Sequence, residues 1–420
     1  MTIRHKDSAQ FRRSKSVVHA EEREAPSFSG TNIVVAGDHN RRITLQAIRA
    51  NGPVRRSELA RLTGLTPPAV FRITNTMLDE GLLQVAGRVV PPRGKPANNL
   101  VINPDGAFAL GLNIDRDHLT MVALDFAGRT RARVSREISF ADPFQTEQFI
   151  EGAVAEILKP GVIDSTRLIG VGIAMPDELG NISLEGQPPL YHEWNHTRIE
   201  EVVARHLDAP VFVENDAAAA AIGELHFGHG LKANSFFYVL ISAGLGGGLV
   251  INGQYFRGAH GRSGEIGFLP RFHPFRSRYN EPGKTLGSAI LLNSLYQQLG
   301  DAGIHVDAPA GLEDLGEAGQ ACVDAWLDQT AEYLYPPLLT LMCGIDPDAV
   351  FIGGRLPERL VDRLCDRVNM KLSMNMDFTW ERPPVVRAAM AGDAAAIGAA
   401  ILPFKDRFLP ADTRVSLVAG

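Results

Sequence analysis

Hydrophobic positions along this chain recur with two different periods. Between residues 53 and 83 the spacing is helical. Leu59 and Leu62 share one side of a short segment, and Val70, Ile73 and Met77 repeat at three and four residues along a second. Ser57 stands where it can cap the first segment, Gly64 permits a tight turn, and Thr66 can cap the second, whose first turn tolerates Pro67. The pattern predicts two short helices joined by a turn, with Pro68, Phe71, Arg72 and Asn75 off the apolar stripe of the second. Gly81 ends that helix, residues 82–90 read as a strand pair turning at Gly87, and residues 91–96 follow as an extended basic loop. After Pro104 short apolar runs alternate with helical spacing. Strands are predicted at 108–114, 119–124 and 132–138, a helix at 149–158, a strand at 168–175, a helix at 199–207, a strand at 211–213 and an alanine-rich helix from Ala217. A similar series restarts near Phe236, with strands at 237–241 and 248–251, helices at 286–299 and 322–342, and a strand at 349–352. Two α/β halves of like grammar imply two lobes around a cleft, where ligands usually sit.

Charge divides the chain. Residues 1–104 carry 16 Lys and Arg against 8 Asp and Glu, leaving 26 against 40 for the remainder, an asymmetry hidden by the overall net charge of −6. A basic head on an acidic body implies that only the head meets nucleic acid. The two-helix pattern fits that role: the outward face of a second helix enters the major groove, where Arg pairs with guanine and Asn with adenine. Arg93 and Lys95, on the basic loop, would act as a wing on phosphates or in the minor groove. The bland readings are a solvated outer face and a Pro/Gly linker. Residues 1–38, polar and without apolar periodicity, are expected to be a disordered arm. No apolar run is long enough to span a bilayer, so a cytoplasmic protein is expected. Cys322, Cys343 and Cys365 are too sparse for a disulfide framework or thiolate metal site and are expected in the core.

Three clusters carry candidate chemistry. Residues 211–224, VFVENDAAAAAIGE, run from strand into helix with Asp216 at the junction, where it can serve as a helix cap or as a ligand group. Residues 242–248, SAGLGGG, form a glycine-rich hairpin whose backbone can approach a phosphate. In residues 258–267, GAHGRSGEIG, glycines bracket Glu265 on an irregular loop.

In order and spacing these clusters resemble the ROK family of repressors, open reading frames and sugar kinases. The most specific matches are VENDAAAAAIGE at 213–224, GLGGGLVINGQYFRGAHGRSGEIG at 244–267 and IDPDAVFIGGRL at 345–356. The resemblance implies an α/β chain in which an N-terminal winged helix-turn-helix precedes a two-lobed actin-like ATPase fold. The expected division is the arm at 1–38, the DNA-binding domain at 39–104, one lobe at 105–232 completed by a C-terminal helix near 390–405, and a second lobe at 233–389. By the family's pattern Asn215, Asp216 and Glu265 would bind sugar hydroxyls, Asp216 standing at the position of the kinase base. Gly353 and Gly354 match the adenosine-side glycines. Neutral sugars are indeed held by carboxylates and amides.

Departures from the family shape the expected function. Kinases carry Asp-x-Gly-Gly-Thr on the first hairpin, whereas this chain has Asp115-Arg116-Asp117-His118-Leu119. Bulky charged residues replace glycines, and Asp117 would repel ATP phosphates. The second phosphate loop reads Ser242-Ala243-Gly244 and lacks its threonine. Phe268 replaces the zinc-site histidine and no cysteine lies between Glu265 and Cys322, which excludes thiolate zinc there. Asp177 replaces a glycine, and Pro189 falls where a sugar-contacting asparagine is expected. The expectation is a sugar-responsive transcriptional regulator, a repressor, whose degenerate kinase body has no catalytic residue, bound metal or cofactor. Its partners would be duplex DNA, a small sugar or sugar derivative, and further copies of itself as a homodimer or homotetramer. The enzyme alternative is an active hexose kinase with an added DNA-binding head; the third reading is an inert dimerisation body.

Overall fold

The first helix, α1 (Ile33–Asn51), buries Leu45, Ala47 and Ile48 in its second half, while Gly37, Asp38 and His39 are exposed. Residues 33–38, expected from the sequence to belong to a disordered arm, are helical. The computed structural model describes residues 33–89, 97–177, 179–180, 187–271, 285–375, 381–390 and 392–410. The rest of the expected arm, and Arg93 and Lys95 of the expected wing, lie outside those residues.

Helices α2 (Arg56–Thr63) and α3 (Pro67–Asp79) follow, with Gly64 between them in the left-handed conformation that the turn requires. Their capping differs from expectation. Ser57 lies inside α2, because the chain enters the helix two residues early, at Arg55, and Thr66 occupies the N-cap of α3 without making a side-chain cap bond. Strand β1 (Leu83–Val89) pairs antiparallel with β2 (Ala97–Ile102). The strand pair is thus formed across residues 90–96. The register shifts between Val85 and Arg88, so Gly87 lies at an irregularity inside one strand rather than at a turn.

Two five-stranded sheets form the body. In the first, β3 (Phe108–Ile114), β4 (His118–Asp125) and β5 (Thr130–Glu137) make an antiparallel meander; α4 (Pro143–Ile157) leads to β6 (Leu168–Met175), and α5 (Ile199–Ala204) to β7 (Val211–Asn215), both parallel to β3, in the order β5-β4-β3-β6-β7. Helix α6 (Asp216–Phe227) then crosses to the second sheet. There β8 (Phe236–Ile241), β9 (Leu245–Ile251) and β10 (Gln254–Tyr255) form the meander. Helices α7 (Leu286–Ala289), α8 (Leu292–Asp301) and α9 (Glu317–Ile345) precede β11 (Ala349–Gly354), and α10 (Glu358–Asn375) precedes β12 (Val385–Arg387), giving β10-β9-β8-β11-β12. The helix expected over 286–299 is broken at Ile290 and Leu291, whose extended or irregular backbone separates α7 from α8.

The last helix, α11 (Ala394–Phe408), joins the parts by packing on β3, β6 and α6. Close approach requires glycine: a Cβ at Gly172 would lie 1.8 Å from the Ala399 carbonyl oxygen, and one at Gly398 1.8 Å from that of Ala219. The apolar core of the head is continuous with this helix. Leu45, Ile48, Leu59, Val70 and Met77 belong to the same buried cluster as Ile401, Phe404 and Phe408. Head and body therefore share one core rather than hanging on a linker. Among the three cysteines Cys365 is buried and Cys322 half-buried, but Cys343 is exposed, contrary to the expected core placement, because it lies off the buried stripe of α9.

Candidate functional site

On the head, α3 buries Val70, Thr74 and Met77, while Ile73 is only half-buried. Thr66, Pro68, Phe71 and Arg72 are exposed, Phe71 at 55%. Asn75 is less free than the stripe implied. Its Oδ1 accepts a hydrogen bond from Arg56 Nη2 at 2.7 Å, and Arg56 Nε donates to Thr74 Oγ1 at 2.8 Å. The same guanidinium lies 5.0 Å from the Phe71 ring centroid. Sequence reasoning missed Arg56, since its partners lie 18 and 19 residues away on the next helix.

In the body, β7 delivers Asn215 and Asp216 to the start of α6. Asn215 is the cap: its Oδ1 accepts from Ala217 N at 3.0 Å and Ala218 N at 3.1 Å. Asp216, one position on, accepts from Ala217 N at 2.8 Å and from no other group among the described residues. Although partly accessible, it is enclosed deeply enough that burial, then the nearby Asp115, pushes its carboxyl from 3.8 up to about 7, against the opposing pull of the Ala217 amide and Arg116. The neighbouring Glu214 is buried, ion-paired with Arg257, and also raised, chiefly by desolvation.

Glu265 is half-buried on the loop after β10, where the neighbouring Gly264 abuts Gly247 of β9, while Ala217, next to Asp216, abuts Gly246. The charges of Glu214, Arg257, Asp177 and Glu265 all act on the Tyr255 hydroxyl. Tyr255, Glu214 and Arg257 were not singled out from sequence. The first two sit on strands as ordinary strand residues, and only the fold turns them to one place.

The glycine-rich hairpin serves packing more than phosphate. A Cβ at Gly248 would come within 2.5 Å of the Ala221 Cβ, and one at Gly246 within 2.8 Å of the Ala217 Cβ. Gly244 alone of this run faces Arg116, whose Nη1 would be 3.0 Å from its Cβ. Gly353 is covered in the same way: a Cβ there would lie 2.1 Å from the Tyr238 hydroxyl.

Beyond it Arg355, with 10% of its side chain exposed, pairs with Asp117 at 2.8 Å and with Glu137, tying the second sheet to the first hairpin. Asp117 also accepts from His118 Nδ1 at 2.7 Å, and His118 Nε2 accepts from Asn113 Nδ2 at 3.0 Å, fixing the imidazole tautomer. Asp115, Asp117 and His118 bring their ligand atoms within 4.8 Å of one another, but Asp117 and His118 are already engaged by protein partners.

The far end of α6 lies under the head. Arg49 of α1 donates from Nη2 to the His226 carbonyl at 3.1 Å and stacks 4.2 Å from the Phe227 ring centroid. Burial lowers its guanidinium only to about 10, so it stays charged near neutral pH. Arg42 Nη1 donates to the carbonyls of Asp406 at 2.7 Å and Leu409 at 2.9 Å, at the end of α11.

Comparison with known proteins gives two family matches. The ROK family model matches residues 109–277, and the IclR helix-turn-helix domain model matches residues 45–87. An uncharacterised protein, y4fQ, of Sinorhizobium fredii is 28% identical over 87% of this chain and 90% of its own length. The xylose repressor of Bacillus subtilis is 27% identical over 55% of this chain, and the DNA-binding transcriptional dual regulator NagC of Escherichia coli is 23% identical over 57%. These matches span about 60% of the xylose repressor and 59% of NagC. Among solved structures, a ROK family transcriptional regulator homologous to the E. coli MLC protein has a TM-score of 0.64 at 20% identity, covering 89% of this chain and 97% of its own. A ROK family glucokinase from Streptomyces griseus has a TM-score of 0.54 at 22% identity, covering 70% of this chain and 99% of its own. Both share the fold, an actin-like body. No described helix is long and apolar enough to cross a membrane.

Proposed function

From a chain that carries a ROK family domain behind an IclR-type helix-turn-helix, we propose a DNA-binding transcriptional regulator, a repressor, whose body senses a sugar or sugar derivative through Asn215, Asp216 and Glu265. The observation that carries this reading is the span of α6. It begins with Asp216 in the cleft and ends, about 18 Å away at 1.5 Å per residue, beneath Arg49 of the head. A ligand that moves the start of this helix biases the seat of the DNA-reading helices, and linkage then requires ligand and operator to alter each other's affinity by the same factor.

The nucleotide side supports a body without kinase activity. Arg116 lies over Gly244, and Arg355 bridges Asp117 and Glu137 where the relatives that are kinases would need room for phosphates. One feature favours the enzyme alternative: a carboxyl near 7 suits a general base. It is outweighed by the closed hairpin side.

The division into head, first lobe closed by the C-terminal helix, and second lobe is part of the proposal, as are assembly into a homodimer or homotetramer and the contacts of Thr66, Pro68, Phe71, Arg72, Asn75, Arg93 and Lys95 with duplex DNA. Two heads on one side of the duplex would read an inverted repeat.

Footprinting of the protein's own upstream region, with and without a panel of sugars, tests the reading. Expected is a protected inverted repeat whose protection changes with one sugar class, and loss of that change, but not of protection, in Asp216→Asn. No protected site, or no sugar effect across the panel, sinks it.

A further inference from the structure

Beside the exposed face of α3 stands an arginine that meets no acid. In the head Arg41 pairs with Glu80, Arg42 pairs with Asp38, and Arg49 donates to the His226 carbonyl. Arg56, half-buried at the start of α2, donates only to neutral side chains, from Nε to Thr74 Oγ1 at 2.8 Å and from Nη2 to Asn75 Oδ1 at 2.7 Å. Burial lowers its pKa, and no acidic group offsets that loss. Its Nη1 has no hydrogen bond among the described residues.

The guanidinium is also held in place. Thr74 is buried and donates in turn to the Val70 carbonyl at 2.8 Å, and the Phe71 ring centroid lies 5.0 Å from the guanidinium carbon. A guanidinium carries donors and no acceptor, so the end of the Asn75 amide that faces it must be the oxygen. The end left over is Nδ2, which has no partner among the described residues. Asparagine reads adenine by using both ends of its amide, Oδ1 accepting from N6 and Nδ2 donating to N7. With Arg56 on Oδ1 that mode is opposed. A base amino group seeking the second lone pair would come up beside the guanidinium, donor against donor. Guanine presents N7 and O6 on the same edge, and both are acceptors.

We propose that Arg56 and Asn75 form a donor-only reader that selects guanine over adenine at one base pair of each operator half-site. The proposal rests on the DNA-reading role given above and deepens it, and it reverses what Asn75 alone suggests. Asn75 is the contacting residue: it lies with Pro68, Phe71 and Arg72 off the buried stripe of α3 and keeps an unpaired amine end. Arg56 is the positioning residue, because its bond to Oδ1 decides which end of the amide is free. Its charge strengthens the choice, since a guanidinium without an acidic partner favours an acceptor beside it and disfavours an amino group.

The test is selection of sites from random duplex DNA by the full chain, followed by gel shifts on the selected site. One base pair in each half-site should lose its preference in Asn75→Ala. In the parent that pair should be G·C, bound about tenfold more tightly than A·T at the same place. Arg56→Met frees Oδ1, so the preference at this pair should fall to about threefold or less, or turn to A·T, while the pair that Arg72→Ala relaxes keeps its own. Replacing the guanine by 7-deazaguanine removes one acceptor and leaves the protein untouched, which keeps the proposal testable if Arg56→Met does not fold. It should weaken the parent by about three- to tenfold and leave Asn75→Ala unchanged. An A·T pair at the Asn75-dependent position overturns the proposal. So does a G·C preference that survives in Arg56→Met, a parent indifferent to 7-deazaguanine, or an Asn75→Ala protein that selects the parent's site unaltered. In each of these cases a selected inverted repeat leaves the regulator reading standing. A parent that selects no sequence defeats both.

Discussion

Replacing Asp216 by Asn should stabilise the ligand-free protein, and by an amount that depends on pH. In the folded state the carboxyl titrates near 7 rather than 3.8. The folded form therefore holds a proton that the unfolded chain releases, and stability falls as pH rises from about 4 to 7, then stays level. At about 1.4 kcal/mol per tenfold change, the ionised carboxylate costs at most roughly 4 kcal/mol above pH 7; partial solvent access halves this to roughly 2. At pH 5 only about a third of the penalty has developed. The amide mimics the protonated acid and leaves the cap in place, since Asn215 supplies it. Denaturant unfolding of both proteins at pH 5 and pH 8 should show Asp216→Asn more stable by roughly 0.7 and 2 kcal/mol respectively. An equal difference at the two pH values, or a variant less stable than its parent at pH 8, would refute the reasoning. The gain is a mark of function: a group that costs folding energy is tolerated where it binds something.

Arg72→Ala should cost on the order of 1–3 kcal/mol of specific operator binding in gel shifts and relax specificity, whereas Arg56→Ala, which releases Asn75 and Phe71, should reduce discrimination between sites more than it reduces non-specific affinity. Arg49→Met removes the tie between α1 and the end of α6, so the sugar-induced change in operator affinity should shrink several-fold while calorimetric sugar affinity stays within about threefold; unchanged coupling would count against α6 as the link. Arg355→Ala should lower stability by roughly 1–3 kcal/mol, less than a fully buried pair because Glu137 is half exposed, and neither it nor the parent should make ADP with sugar at the roughly 1–100 per second of working kinases.

Local pattern carried a good part of the architecture. The strand at Phe108–Ile114 reads directly from an apolar run interrupted only by Asn113, and every residue of it is buried. The turn at Gly64 and the two flanking helices follow from periodicity, because an amphipathic helix writes its buried face into residues three and four apart. The glycine clusters marked where backbone passes close to backbone, although for Gly246 and Gly248 the neighbour is α6 rather than a phosphate. Helix α1 escaped, since its buried Leu45, Ala47 and Ile48 are satisfied in part by α11, more than 350 residues later in the chain.

The sequence by itself determined which chemistry was available: a basic two-helix head, a carboxylate and amide at the end of β7, and charged residues where a kinase needs glycine. What the fold alone decided was partnership. Asn215 rather than Asp216 caps α6, Arg56 holds Asn75, Arg355 closes on Asp117, and Arg116 is left without a partner. The cap is settled by backbone amides two and three residues on, but the Arg56 and Arg355 contacts depend on whether another side chain, 18 to 238 residues away, reaches the same few ångströms. Propensity and periodicity are properties of near neighbours, whereas a hydrogen bond between distant residues exists only after the lobes and the head have packed on α6 and α11.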